Sequence, residues 1–331
     1  MSTIPIHVIT GFLGSGKTTL INALMTAGFG AGTVVIVNEF GEVGLDQDFI
    51  QTAADEILVL KNGCMCCVVR EDLVATLRMI AASGKAERVV IETSGIADPL
   101  PILQTLRADF AVRVRYHPGA VVCTVDARTP PFGAYAMAES QAQLSAADAL
   151  VLTKTGLVDA EKADELRVLL AATNPDSVLL PASGTAIAEF LLGYEASAKP
   201  RFPADLGRHV ASAVHTDGLA SVAIRDAEPR SWPVFAAWLS NLLHMHGDRV
   251  LRTKAILFDR NRDTWIGVHG VRRFLHPPVH LAFETAPDGA DCIVFIVAGM
   301  DTARLEQSYR RHVAKPVATG LPAPTPQLAV H

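Results

Sequence analysis

Gly11-Phe12-Leu13-Gly14-Ser15-Gly16-Lys17-Thr18 follows the apolar run Ile6-His7-Val8-Ile9 and precedes Leu20, Ile21 and Leu24, which share one helical face. The octapeptide fits G-x-x-x-x-G-K-[ST] in the context that gives the pattern meaning, a strand before it and a helix after it. Its glycines let backbone N–H groups turn inward around phosphate oxygens, and the helix N-terminus adds positive charge. The pattern puts Lys17 against β- and γ-phosphates and the Thr18 hydroxyl on Mg²⁺. Gly11, Gly14, Ser15 and Gly16 belong to the same cradle, and Thr19 is within reach of the α-phosphate.

Outward from that loop, short β-branched runs alternate with helical patterns. Strands are expected at Ile4–Thr10, Thr33–Asn38, Glu56–Lys61, Arg88–Glu92, Ala120–Asp126, Ala149–Thr153 and Ser177–Pro181. Helical spacing marks Lys17–Ala27, Arg70–Ala82 and Ala160–Ala172. Near-continuous apolar strands alternating with helices predict an α/β fold, a mostly parallel sheet covered on both faces. The period fades after about residue 192, and 193–214 reads as a linker. A smaller α+β domain is expected over 215–314, with Trp232–His246 helical and Asp301 capping a last helix through His312. The tail 315–331 carries four prolines and no period, the composition of a disordered segment.

The 331 residues suit about two domains. A formal charge of −5 gives no cationic face for nucleic acid or an anionic membrane. No apolar run approaches the roughly 18 residues of a membrane span, and Met1-Ser2-Thr3 is no basic leader, so a cytoplasmic protein is expected. Of five cysteines, three crowd into Cys64-Met65-Cys66-Cys67, a pattern for a reduced compartment and metal or redox chemistry.

Three further stretches carry chemistry. Glu92 ends a buried strand and is followed by Thr93-Ser94-Gly95, at the carboxyl edge where open α/β sheets bind ligands. Glu92 there acts through Mg²⁺ or orients water, and the Gly95 N–H meets the γ-phosphate. Asn38–Asp46 delivers Glu39 and Glu42 onto a loop that can order around Mg²⁺ and γ-phosphate, with Glu42 a candidate Mg²⁺ ligand; a turn with solvated acids is the plainer reading. Thr153-Lys154-Thr155-Gly156 stands where a base-recognition strand is expected, with the Lys154 stem along the base and Ser183 adding backbone contacts. A carboxylate is missing at Gly156, and each charge-assisted bond it would make is worth about 1.5–3 kcal/mol. Its absence weakens guanine preference, so GTP is expected without ATP being excluded.

Thiolates are soft ligands suited to Zn²⁺, with Co²⁺ or Fe²⁺ as alternatives. Cys64, Cys66 and Cys67 leave one position for Glu39, Glu42, water or a transferred ligand. A redox pair and inert small side chains are the competing readings. Cys123 and Cys292 are expected in the core, and His244, His246, His269, His276 and His280 on surfaces or turns rather than in a second metal site.

Together Gly11–Thr19, Asn38–Asp46, Asn62–Cys67 and Glu92–Pro99 resemble the CobW-type metallochaperone GTPases, which include cobalamin-synthesis, nitrile-hydratase-activator and zinc-regulated members. Arg252–Leu257, Gly267-Val268-His269 and Phe295–Gly299 are similar to that family's C-terminal domain. The resemblance implies GTP hydrolysis, a cysteine metal motif, and a second domain that contacts a client metalloprotein. Thr153-Lys154-Thr155-Gly156 departs from the family's Asn-Lys-x-Asp, and no histidine-rich stretch is present. A small-molecule kinase and a nucleotide-bound metal sensor with little turnover are the alternatives.

Overall fold

The computed structural model describes residues 3–38, 56–60, 68–132, 137–196, 214–216, 219–225, 227, 229, 231–281 and 291–314. Cys64, Cys66, Cys67, Glu39 and Glu42 lie outside these residues, as does the tail 315–331.

The first half alternates strand and helix. In chain order come β1 (Ile4–Gly11), α1 (Lys17–Leu24), β2 (Thr33–Asn38), β3 (Glu56–Leu60), α2 (Val68–Ser83), β4 (Arg88–Glu92), α3 (Leu100–Ala108) and α4 (Phe110–Arg115). There follow β5 (Tyr116–Asp126), α5 (Ala138–Ala146), β6 (Ala149–Thr153), α6 (Ala160–Thr173), β7 (Val178–Leu180) and α7 (Gly184–Ala196). The seven strands form one parallel sheet in the order β3-β2-β4-β1-β5-β6-β7.

Successive strand residues point to opposite faces, so a sheet covered on both sides needs apolar residues at every position. On β2, Val35 and Val37 join Leu20, Ile21 and Leu24 of α1 and Ile187 of α7. Val34 and Ile36 pack the other way, with Leu73 and Leu77 of α2 and Ile102 of α3. Both clusters are fully enclosed, which is the expected α/β fold.

Several boundaries moved. The helix expected over Lys17–Ala27 is α1 continued by a wider π turn, Met25–Phe29, in which Gly28 takes φ 93°. The strand expected from Ala120 begins four residues earlier, at Tyr116, because Ile4 and Pro5 of β1 pair with Tyr116 and His117. Helix α7 runs to Ala196, past the expected start of a linker at 193. Its outer turns are held by Glu195, which accepts from His7 at 2.9 Å and from Arg88 at 3.2 Å.

The second half is antiparallel. It comprises β8 (Val214–Thr216), β9 (Leu219–Ile224), α8 (Trp232–His246), β10 (Val250–Asp259), β11 (Thr264–Val271), β12 (Phe274–Leu275), β13 (Val279–Leu281), β14 (Cys292–Ala298) and α9 (Thr302–His312). The order is β12-β11-β10-β14-β9-β8, with β13 also on β11. Phe235 and Leu239 of α8 and Leu305 and Tyr309 of α9 cover one face. The Asp301 carboxylate accepts the Arg304 N–H and caps α9 as expected.

The other face meets the parallel domain through charge. Arg252 of β10, 1% exposed, donates to the carbonyls of Ser145 and Ala147 and to Asp148 Oδ1 at 2.7 Å. Beside it Lys254 Nζ donates to the carbonyl of Asp176 at 3.5 Å. Burial raises the Asp176 carboxyl above its ordinary range and lowers the Lys254 ammonium. Arg272, after β11, pairs with Asp98 at 2.9 Å.

Candidate functional site

Because the sheet is parallel, the carboxyl ends of β1, β4, β5 and β6 open on one edge. Ile9 is register partner of Glu92, Gly11 of Thr124, and Asp126 of Thr153. A cleft of about 600 Å³ lies there, lined among others by Gly14, Lys17, Thr18, Glu92, Gly95 and Lys154.

The phosphate loop is bent by its glycines. Gly11 has φ 140°, and a Cβ on it would stand 2.3 Å from Thr124 Oγ1 and 2.4 Å from that residue's carbonyl oxygen. Gly16, at φ 93°, is the N-cap of α1. The left-handed region strains any residue with a side chain, so this path belongs to glycine. Lys17 Nζ folds over the loop and donates to the carbonyls of Gly11 and Phe12 at 3.0 and 3.2 Å.

Thr18 Oγ1 donates to Glu92 Oε1 at 2.8 Å. A hydroxyl and a carboxylate meeting on the cleft floor are hard oxygen donors, the chemistry Mg²⁺ selects. The two described members of the expected Mg²⁺ set therefore come together; Glu42 is outside the described residues. Gly95 also reaches the site. A Cβ there would lie 2.7 Å from Leu13 N, Cα and Cδ2, so the turn after β4 presses on the phosphate loop.

Thr153, expected at the nucleotide, is 7% exposed and turned into the fold: its single hydroxyl proton is shared between the carbonyls of Ser15 (2.7 Å) and Val125 (3.1 Å). A buried hydroxyl needs a partner, and the loop backbone supplies it. The Ser15 hydroxyl is likewise occupied, 2.6 Å from Thr124 Oγ1, and the Ser15 N–H donates to the Phe12 carbonyl at 3.1 Å. Ser183 is outside the cleft lining, and its N–H is already given to the Pro181 carbonyl at 2.8 Å.

Lys154 takes φ 57° and sends its ammonium to the Gly14 carbonyl and to Asp126 Oδ2, the latter at 2.6 Å. Asp126 also receives the Arg128 side chain at 3.1 Å and the Arg128 N–H at 2.9 Å. Burial opposes its ionisation, but the bonds from Arg128 and Lys154 outweigh burial and hold its carboxyl down to about 2. Sequence reasoning missed Asp126. It ends β5 just as Glu92 ends β4, so the same signal was present.

The thiol ligands lie outside the described residues, and among the described residues no group of three or more His, Cys, Asp or Glu could hold a metal ion. Cys123 and Cys292 are core residues as expected, and burial pushes the Cys123 thiol up to about 12. His269, expected on a surface or turn, is instead buried in β11 and stacks on His276 at 4.2 Å. No described helix is long and apolar enough to cross a membrane.

A parallel sheet with a glycine-bent phosphate loop, its lysine, and a hydroxyl–carboxylate pair at the carboxyl edge defines a P-loop nucleoside triphosphatase. Residues 5–181 match the CobW/HypB/UreG nucleotide-binding domain, and residues 219–312 match the cobalamin synthesis protein CobW C-terminal domain. The chain belongs to the CobW/HypB/UreG family. It is similar to a protein named zinc chaperone YjiA from Escherichia coli, at 31% identity over 82% of this chain and 87% of that relative. A zinc chaperone named CobW from Pseudomonas aeruginosa is 31% identical over 60% of this chain and 62% of its own length. The crystal structure of Zn(II)-bound YjiA GTPase from E. coli superposes with a TM-score of 0.67 at 24% identity, over 94% of this chain and 99% of that one, a likeness of fold.

Proposed function

We propose that this chain hydrolyses GTP and uses the cycle to bind a transition metal ion, Zn²⁺ foremost, at Cys64, Cys66 and Cys67 and pass it to a client metalloprotein through the 215–314 domain. The observation that carries the hydrolytic part is the meeting of Thr18, Glu92 and the Gly95 turn on one cleft floor beside Lys17. Thr18 and Glu92 would hold Mg²⁺, which when bound neutralises phosphate charge. Lys17 neutralises the bridging oxygens, and Gly95 offers its N–H to the γ-phosphate. For the metal part, support comes from connectivity and from the named relatives, two zinc chaperones. Segments 39–55 and 61–67 leave the carboxyl ends of β2 and β3, where Asn38 and Leu60 are register partners. Cys64 follows Leu60 by four residues, and a metal held that near the nucleotide edge would give the coupling its physical basis.

Zinc affinity measured with a non-hydrolysable GTP analogue and with GDP tests this. The two affinities are expected to differ by at least about fivefold, the lower end of usual coupling. Cys64→Ser with Cys66→Ser and Cys67→Ser should abolish the tight site and spare the fold. Equal affinities in the two nucleotide states would remove the coupling, and tight zinc in the triple variant would remove the site.

Base preference gives a second test. With its ammonium committed to Gly14 and Asp126, Lys154 offers its stem to a base. Gly156 sits in open space, where an added Cβ meets nothing within 4 Å. Gly156→Asp is therefore tolerated and places a carboxylate by the guanine edge. At about 1.5–3 kcal/mol per charged bond, GTP over ATP selectivity should rise at least about tenfold. Competition binding with the two nucleotides checks it, and unchanged selectivity would move the base elsewhere.

A further inference from the structure

The turn after β4 has a support that lies outside the nucleotide cleft. Gln143, 1% exposed in the middle of α5, donates from Nε2 to the Gly95 carbonyl at 3.2 Å and the Ala97 carbonyl at 3.0 Å. Carbonyls only accept, so both amide protons face the turn. From the other side the turn abuts Leu13, with no room for a Cβ on Gly95. It is closed on itself by the Ala97 N–H donating to the Ser94 carbonyl at 3.0 Å. The C=O and N–H of one planar peptide point in opposite directions. Drawing the Gly95 carbonyl to α5 therefore turns the Ile96 N–H away from the helix, and both residues line the cleft.

We propose that Gln143 is a positioning residue for hydrolysis, holding the Gly95–Ala97 turn so that the Gly95 and Ile96 N–H groups meet the γ-phosphate. The proposal rests on the reading that this turn contacts the γ-phosphate. A donor aimed at developing charge counts only if held in place beforehand, and removing one such donor typically lowers turnover by about 10²–10³-fold. Gln143 acts through backbone that other contacts also hold, so a smaller loss is expected, about 10–100-fold. A nucleoside diphosphate lacks the group the turn meets, so its binding should not change.

The experiment compares Gln143→Met with wild type in kcat and KM for GTP, and in affinity for a non-hydrolysable GTP analogue and for GDP. Support is a kcat loss of about 10–100-fold, analogue binding weakened several-fold, and GDP binding within twofold of wild type. A kcat within threefold of wild type overturns the proposal. So does a GDP loss equal to that of the analogue, which would mark Gln143 as packing alone. If Gln143→Met does not fold, Gln143→Glu keeps the shape. Its ionised carboxylate repels both carbonyls, whereas its protonated form donates to one, so its turnover relative to wild type should rise on acidification. A flat ratio counts against the proposal. The underlying reading fails separately: wild-type turnover unaffected by Gly95→Ala would show that the turn does not serve the γ-phosphate, whatever Gln143 does.

Discussion

Gly95→Ala is expected to lower nucleoside triphosphate turnover by about a hundredfold, with GDP affinity kept where the turn is the part that moves and weakened where the phosphate loop moves. The added methyl would occupy space 2.7 Å from Leu13 N, Cα and Cδ2, a separation that real Cβ atoms do not show. Two of those atoms are backbone, so rotating a side chain cannot relieve the contact. Either the turn or the phosphate loop must move, and both carry groups aimed at the same phosphate. A misplacement of about 1 Å can cost about 10²-fold in rate. The Lys17 ammonium, tied to the Gly11 and Phe12 carbonyls, would follow a loop displacement. Steady-state kinetics and titration with a fluorescent GDP separate the two effects. Turnover within threefold of wild type would mean the turn can retreat without consequence, and Gly95 would lose its assigned role.

Arg252→Ala should destabilise the chain by about 3–5 kcal/mol, the cost of breaking a buried charge pair by removing one partner. The guanidinium is 1% exposed and satisfies Asp148 together with the Ser145 and Ala147 carbonyls. Its loss leaves a carboxylate and two carbonyls without that donor where the end of α5 meets β10. Asp148 retains the Val121 N–H at 3.0 Å, which offsets only part of the deficit. Arg252→Lys should recover part of the stability, since an ammonium restores charge but not the planar fork that reaches three acceptors. Denaturant titration of both variants reads this directly. A loss below about 1 kcal/mol for Arg252→Ala would mean that the domains do not depend on this contact. Because α5 carries Gln143 and the residues just beyond it hold Arg252, the same short helix touches the Gly95 turn and the second domain.

Most of the parallel sheet was legible because each strand is an unbroken apolar run and each helix repeats its own period. Thr33–Asn38 and Arg88–Glu92 were read to the residue. Boundaries failed where tertiary pairing overrides local preference. Tyr116–Gly119, with a proline and a glycine, is a poor strand in isolation and becomes one beside the start of β1. His269 was misread for a related reason: an alternating strand position does not say what will cover it, and His269 is buried against His276.

The phosphate loop was determined by sequence alone, because its donors are consecutive backbone groups whose direction is set by local φ and by the helix that follows. The acid at the end of β4 was also readable, since a buried strand can deliver a charge only at its end. What holds those groups in place was decided by the tertiary structure. Placing β1 between β4 and β5, with β6 alongside, brings Thr153 to the Ser15 carbonyl, Lys154 to Gly14 and Asp126, and Gln143 to Gly95. These partners lie far apart along the chain, and a side-chain amide or hydroxyl carries no periodic signal. Strand order, not any local pattern, chose them.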